Sequence, residues 1–158
     1  ILVIKLFRYL GVAYKGKYIP RNPKKYKGDP SRIVYRSLWE RKFMVYCDNN
    51  RAILEWGSEE IIIPYLSPVD GRIHRYYPDF YIKVKKHDGT IEKSIVEIKP
   101  KIQCSPPKIP DRKTRRFYNA VKTWAVNEAK WKYATEFCDV NSMDFKILNE
   151  DHLGISYK

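Results

Sequence analysis

With 158 residues, of which 44% are hydrophobic and 31% charged, the chain is expected to form one compact domain with a core rather than a disordered protein. Its formal net charge of +13, together with 13 tyrosines and 4 tryptophans, favours nucleic acid as the partner, because cations neutralise phosphates and aromatic rings stack on bases. No stretch approaches the roughly 18 apolar residues of a membrane span, and the three widely spaced cysteines support neither a disulfide framework nor a zinc site.

The segment at residues 14–30 is rich in tyrosine, lysine, proline and glycine, which favour extended and turn structure. This composition predicts a basic extended arm over residues 12–30 that contacts DNA or a partner. The alternative is a solvated linker. Residues 31–158 are then expected to form a single domain. The candidate DNA contacts in the arm are Lys15, Lys17, Lys24 and Lys25.

A first helix is predicted to begin at Asp29 and Pro30, because an N-cap acid followed by a first-turn proline is a helix-start signal. Apolar residues then recur at helical spacing to about Cys47, and Glu40 lies on this helix. Two short strands are expected around residues 52–56 and 60–64. A β-hairpin follows, over about residues 73–99.

The loop of this hairpin decides which side chains share a face of the sheet. A three-residue loop at residues 87–89, with Gly89 in the left-handed conformation, places Asp79 directly opposite Glu97. Strand alternation then sends Asp79, Glu97 and Lys99 to one face and their apolar neighbours to the other. A two-residue loop would instead put Asp79 on the face opposite Glu97 and Lys99.

Two carboxylates that face each other on neighbouring strands, with Cβ atoms about 5 Å apart, repel one another, and a cation removes this penalty. Oxygen ligation by Asp79, Glu97 and the backbone carbonyl of Ile98 suits Mg²⁺ or Mn²⁺. Lys99 would lie beside the scissile phosphate, where it can orient the nucleophile and offset developing charge. The pattern predicts metal-dependent phosphodiester cleavage; the alternative is a solvated hairpin face in a lysine-rich chain.

A proline-rich loop leads to a second helix, predicted to be capped by Asp111, and a last strand is expected at residues 144–148. These elements predict an α/β fold in which a mixed β-sheet is flanked by helices. Four cations crowd the start of the second helix, where they oppose the helix dipole, so phosphate binding explains them better than helix stability. They are Arg112, Lys113, Arg115 and Arg116, and the apolar stripe of the same helix is expected at Phe117, Ala120, Val121, Trp124 and Trp131.

The order of the helix acid Glu40, then Asp79, then Glu97-x-Lys99, then a basic helix resembles the PD-(D/E)xK nuclease superfamily, which has a restriction-endonuclease-like core. From Val12 onward, nearly the whole chain is also similar to the head completion nucleases of T4-like bacteriophages. The strings that carry this similarity include Tyr26-Lys-Gly-Asp-Pro30, Tyr35-Arg-Ser-Leu-Trp-Glu40, Trp56-Gly-Ser-Glu59, Glu97-Ile-Lys-Pro100 and Thr123-Trp-Ala-Val-Asn127.

This resemblance implies a magnesium-dependent or manganese-dependent nuclease that acts on packaged DNA ends during head completion. Its partners would be double-stranded DNA and the phage head or portal vertex proteins, in the virion and, during assembly, in the host cell cytoplasm. Asp79 and Glu97 carry over as metal ligands, and Lys99 carries over as the catalytic lysine. Glu40 carries over as the helix acid that touches the metal or its water, and Glu59 is a second candidate acid near the site.

The resemblance does not cover residues 1–11, which are therefore expected to be a non-native extension, with translation starting at Val12. Two alternatives to the assigned function stay open. A non-catalytic head-closure or DNA-end-binding protein would keep the fold without turnover. A transposon-end or junction endonuclease of the same superfamily would keep the chemistry, because a fold does not fix a substrate.

Overall fold

The computed structural model describes residues 14–155, so the expected extension at residues 1–11 lies outside the described residues. Eight strands and two α-helices form the described part of the chain. The helices are α1 (Leu38–Asn49) and α2 (Arg115–Val140). The strands are β1 (Gly16–Lys17), β2 (Val34–Tyr35), β3 (Ile53–Ser58), β4 (Ile63–Leu66), β5 (Ile73–Tyr76), β6 (Phe80–Lys85), β7 (Ile91–Ile98) and β8 (Asp144–Leu148).

The central sheet has four strands in the order β3-β6-β7-β8. The pairs β3 with β6 and β6 with β7 are antiparallel, whereas β7 and β8 are parallel, so the sheet is mixed as expected. β1 pairs with β2, and β4 pairs with β5, in two separate two-stranded sheets. Neither helix within residues 14–155 combines the length and the apolarity needed to cross a membrane.

The two helices cover opposite faces of the central sheet. Alternation along β6 and β7 sends Phe80, Ile82 and Val96 to the face on which α1 packs through Phe43 and Met44. The opposite face, which carries Ile95 and Glu97, lies under α2, and there the β4–β5 sheet joins the core. The predicted arrangement of a mixed sheet flanked by helices is confirmed.

The first helix begins later than predicted. The N-cap is Ser37, whose Oγ accepts the Glu40 N–H (3.1 Å), while the Glu40 carboxylate accepts the Arg36 N–H (2.8 Å). This is a variant of the capping box, because Glu40 accepts the N–H of the residue before the N-cap rather than that of Ser37 itself; the Ser37 hydroxyl satisfies one of the backbone donors that a helix leaves free at its start. Asp29 instead closes a local turn by accepting the Ser31 N–H (2.9 Å), so the predicted start at Asp29 is wrong.

The segment at residues 14–30 is not an extended arm but packs on the domain. Tyr18 and Tyr26 are buried, and both rings contact the Trp56 ring edge-on, at centroid distances of 5.9 and 4.8 Å. The Tyr18 hydroxyl donates to Asp48 Oδ2 (2.9 Å). A tyrosine can bury its ring when its hydroxyl has a hydrogen-bond acceptor. The composition of the segment does not distinguish such buried tyrosines from exposed ones in a solvated segment.

The second helix also begins later than predicted, because Thr114 rather than Asp111 caps it: its Oγ1 accepts the Phe117 N–H (3.4 Å). Its predicted stripe is wrong in the first turns, where Ala120 and Val121 are exposed. The residues of α2 that pack against the sheet begin at Val126. They are Val126, Ala129, Tyr133, Ala134, Phe137 and Cys138.

The remaining strands follow the sequence with local corrections. The expected strands at 52–56 and 60–64 lie one to three residues further along the chain, in β3 and β4. The last strand has the predicted bounds, Asp144–Leu148. The first residues of the predicted hairpin form β5, which pairs with β4 instead of continuing the hairpin of β6 and β7. Tyr77 and Pro78 separate β5 from β6 and allow the chain to change sheets.

Candidate active site

The hairpin of β6 and β7 has the three-residue loop. The Lys86 N–H donates to the Thr90 carbonyl (2.8 Å), and the Gly89 N–H donates to the Lys86 carbonyl (3.0 Å). Gly89 has a φ of 85°, the left-handed conformation that this loop requires. The loop thus fixes the register that the sequence left open.

The same register brings the two acids together. Phe80 pairs with Val96, so Asp79, one residue earlier, stands opposite Glu97, one residue later. The alternative with a two-residue loop, which would have separated the acids, is excluded. Both acids lie at one end of the sheet, where β3 and β7 end and β6 begins.

Asp79 is held in a largely desolvated position between the buried residues Pro78 and Phe80. Its Oδ2 accepts the Ile98 N–H (2.7 Å). Burial, and then the negative charge of Glu97, raise the pKa of Asp79 to about 8, although the Ile98 hydrogen bond and Lys99 oppose the shift. The ionised form of Asp79 is therefore disfavoured in spite of the nearby Lys99 charge.

Glu97 is 5% exposed, and a different protein donor holds each of its oxygens. Tyr76, on β5, donates its hydroxyl to Oε2 (2.6 Å), and Lys99 Nζ lies 2.9 Å from Oε1. Burial and the charge of Glu97 raise the pKa of Tyr76, so its hydroxyl keeps its proton. Sequence reasoning missed Tyr76, because nothing singles out one tyrosine of 13 until β5 is placed beside the acids.

Lys99 follows the end of β7, and its backbone N–H donates to the Leu148 carbonyl (2.8 Å), which anchors it beside β8. Burial disfavours the charge of its ammonium, but the charge of Glu97 and the hydrogen bond to Glu97 outweigh burial and raise the Lys99 pKa. Lys99 is therefore a cation, and 22% of its side chain is exposed, so part of it faces solvent.

Glu40 lies close enough for its charge to contribute to the raised pKa of Asp79. Its carboxylate is engaged by the capping box, in which the Ser37 hydroxyl donates to Oε1 (2.9 Å) and the Arg36 N–H donates to Oε2. Within residues 14–155, no three acidic, histidine or cysteine side chains form a cluster ready to hold a metal. Glu40 thus faces the site without joining Asp79 and Glu97.

Glu59 occupies the end of β3 beside the same site. It has a left-handed backbone (φ 55°), which is uncommon for a residue other than glycine, and its N–H donates to the Asp79 carbonyl (3.2 Å). Its two carboxylate oxygens accept hydrogen bonds from Nε and Nη2 of Arg36, each at 3.0 Å. The position of Glu59 near the site agrees with expectation, and its side chain ties the start of α1 to β3.

The candidate DNA contacts divide into exposed and structural groups. Lys25 Nζ donates to the carbonyls of Cys47 (2.9 Å), Asp48 (2.9 Å) and Asn50 (2.8 Å) at the end of α1. All three ammonium hydrogens are used, which corrects the expectation of a DNA contact for Lys25. The exposed candidates are Lys15, Lys17, Lys24, Arg112, Lys113, Arg115 and Arg116.

The residues present could hold a divalent cation. Asp79 and Glu97 supply carboxylate oxygens, and the carbonyl of Ile98 follows directly, so the donor set is all oxygen, as Mg²⁺ and Mn²⁺ prefer. The raised pKa of Asp79 is the observation that supports the fit, because burial and then the charge of Glu97 disfavour the ionised carboxylate, and a cation would offset both.

This fold and site define a class, the endonucleases of restriction-endonuclease-like fold. A family model described as TnsA-like endonuclease N terminal matches residues 50–150, a range that contains Asp79, Glu97 and Lys99 and leaves out Glu40. The chain belongs to this family. It is also 41% identical, over 146 residues, to the head completion nuclease of Enterobacteria phage T4; the match covers 90% of this chain and 95% of the relative. The resemblance to the head completion nucleases and the expected restriction-endonuclease-like fold are confirmed.

Proposed function

We propose that this protein is a magnesium-dependent or manganese-dependent deoxyribonuclease of the PD-(D/E)xK type. In this proposal it hydrolyses phosphodiester bonds of packaged DNA ends; the name of its T4 relative, head completion nuclease, supports a nuclease that acts in phage head completion. The observation that carries the proposal is the pair Asp79 and Glu97, opposed across β6 and β7, with Lys99 bound to Glu97. The head or portal vertex proteins are the proposed partners, and the virion and the host cytoplasm the proposed locations.

In this proposal Asp79, Glu97 and the carbonyl of Ile98 hold the cation. When bound, the cation supplies Lewis-acid polarisation of the scissile phosphate. Lys99, a cation by its raised pKa, directs its N–H groups at the substrate, where they orient the attacking water and stabilise negative charge that grows on the phosphate oxygens. Tyr76 keeps Glu97 in place during the reaction.

Glu40 is proposed as a third acid that touches the metal or its water. To reach the metal, the Glu40 carboxylate would have to rotate and give up its hydrogen bonds with Ser37 and Arg36, which lie three and four residues before it. The exposed cations before and within the first turn of α2 are proposed to bind DNA phosphates. This proposal is supported by the first turn of α2, in which no acidic residue is present to neutralise these cations.

The test is incubation of linear and supercoiled duplex DNA with wild type, Asp79→Asn and Lys99→Ala, in Mg²⁺, Mn²⁺ or EDTA. Cleavage should require the metal and fall by orders of magnitude in both variants, while DNA binding persists. Lys101→Ala is the matched control, because Lys101 is an exposed lysine two residues further on that pairs with Asp151 rather than with a site acid. Wild type that binds DNA but never cuts it with any metal would favour the non-catalytic head-closure function instead.

A further inference from the structure

A second lysine lies beside the active site, on the helix that covers the face of Glu97. Lys130 lies on α2, and its Nζ stands 5.5 Å from the ring centroid of Tyr76 and 5.7 Å from that of Tyr65. Both rings are buried and belong to the β4–β5 sheet. An ammonium within about 6 Å of an aromatic face is attracted by the ring quadrupole, so the two rings fix the position of the charge.

The charges around Lys130 are those of the active site. Glu97, Lys99 and Asp79 all act electrostatically on its ammonium. Burial is the largest influence on Lys130 and lowers its pKa; Lys99 acts in the same direction, whereas Glu97 and Asp79 oppose the shift. Within residues 14–155, no carboxylate lies within ion-pair distance of Lys130 Nζ.

A half-buried cation without an acidic partner is costly for a fold, and an apolar side chain of the same length would pack on two tyrosine rings at least as well. The charge is therefore better explained by a ligand than by stability. Neither site acid pairs directly with Lys130: Tyr76 and Lys99 hold Glu97, and Asp79 accepts the Ile98 N–H. An anion brought from outside the chain can pair with it.

We infer that Lys130 binds a backbone phosphate of the DNA strand held in the active site. This inference rests on the proposed nuclease function and adds a residue to it. Tyr76 connects Lys130 to the site, since its hydroxyl donates to Glu97 while its ring lies 5.5 Å from the Lys130 ammonium. The β4–β5 sheet thereby serves the reaction rather than the core alone.

The decisive variant is Lys130→Met, which keeps the length of the side chain and removes the charge. Lys132→Met is its matched control, because Lys132 is exposed on the same helix, two residues away and on the other side. Lys130→Arg restores the charge. Lys130→Gln gives the same comparison if the methionine variant melts at a lower temperature than wild type.

Two measurements test the inference. Cleavage by Lys130→Met should fall about 10–100-fold, whereas Lys132→Met stays within about twofold of wild type and Lys130→Arg recovers part of the loss. In EDTA, the slope of log affinity for duplex DNA against log salt should decrease by about one for Lys130→Met and not for Lys132→Met.

The outcomes separate this inference from the function on which it rests. If wild type does not cleave, the proposed nuclease function fails, and the salt slope still decides whether Lys130 contacts phosphate. If Lys130→Met keeps the wild-type slope, the inference is overturned even where cleavage falls, because the charge then acts only through Tyr76 and Glu97. Identical behaviour of the two methionine variants in both assays overturns it as well.

Discussion

Asp79 and Glu97 face each other across β6 and β7, yet the protein holds them unequally. Glu97 has a donor on each oxygen, from Tyr76 and Lys99, whereas Asp79 accepts one backbone N–H, from Ile98. Burial and the neighbouring charge of Glu97 disfavour the ionised form of Asp79, and its pKa rises to about 8. The protonation of Asp79 should therefore respond to a bound cation and to pH.

Asp79→Asn should stabilise the metal-free protein while it abolishes cleavage. A carboxyl whose pKa rises on folding, from 3.8 to about 8, binds more protons in the folded state, so the stability of wild type falls as pH rises through this window. The asparagine side chain of the variant does not titrate, and its amide oxygen can still accept the Ile98 N–H. In EDTA its advantage in unfolding free energy should be small near pH 4 and grow to ~1–3 kcal/mol near pH 8.

Thermal melting of both proteins at several pH values measures this advantage. Added Mg²⁺ should narrow it at pH 8, because the ion binds the folded wild type and stabilises it. An advantage that does not change with pH would contradict the prediction.

Tyr76→Phe should impair cleavage while it keeps the fold. The change removes the hydroxyl that donates to Glu97 Oε2 and retains the ring against which Lys130 packs. Loss of a group that orients a metal ligand costs about 10–100-fold in metal affinity or activity, so half-maximal cleavage should require more Mg²⁺. Stability should fall by only ~1 kcal/mol.

Titration of cleavage against Mg²⁺ measures the effect of Tyr76→Phe. Tyr65→Phe is the control, since Tyr65 lies on the neighbouring strand and makes no hydrogen bond to Glu97. If the two variants show the same Mg²⁺ dependence, Tyr76 does not position Glu97.

Glu40→Gln separates the two roles that Glu40 can play. Glutamine preserves the capping box, because its amide oxygen can accept from Ser37 or Arg36, so stability should stay within ~0.5 kcal/mol of wild type. If Glu40 touches the metal, cleavage should fall more than tenfold all the same. Urea unfolding and cleavage rates, measured on one preparation, check both expectations, and full activity of Glu40→Gln would confine Glu40 to capping α1.

Lys25→Met should destabilise the protein without weakening its binding to DNA. The change leaves three carbonyls at the end of α1 without their charged donor, at a cost of ~2 kcal/mol. Lys24→Met is the matched control, because Lys24 is exposed and its loss should leave stability unchanged. Urea unfolding and the salt dependence of DNA binding measure the two effects; a stable Lys25→Met with weaker DNA binding would contradict this assignment.

Local rules in the sequence predicted the sheet and the acid pair, because strand alternation and a glycine-containing loop act over a few neighbouring residues. Gly89 fixed the loop, and the loop fixed the position of Asp79 opposite Glu97. Contacts between distant segments could not be predicted in this way. Tyr76 and Lys130 lie 21 and 33 residues from Glu97, and only the packing of β5 and α2 brings them to it.

The same limit explains the errors at the helix starts and in the basic segment. Asp29 and Asp111 are of a residue type that often caps helices, yet the N-caps are Ser37 and Thr114. Which candidate becomes the N-cap depends on where packing against the sheet places the start of each helix. Lys25 is of a residue type usually found on the surface, yet its ammonium donates to a carbonyl at the end of α1, as a helix-capping group does. Composition records which groups a segment carries but not which partners the fold brings to them.

The turn at residues 87–89 has a consequence for how this chain can vary. Surface loops usually tolerate changes of length, and the three turn residues are exposed. Here a deletion of one residue would shift the pairing of β6 with β7 and rotate Asp79 away from Glu97. A substitution at His87 leaves the pairing of the acids intact, whereas a change in the number of loop residues does not. The length of an exposed loop is therefore a requirement for the two acids to face each other.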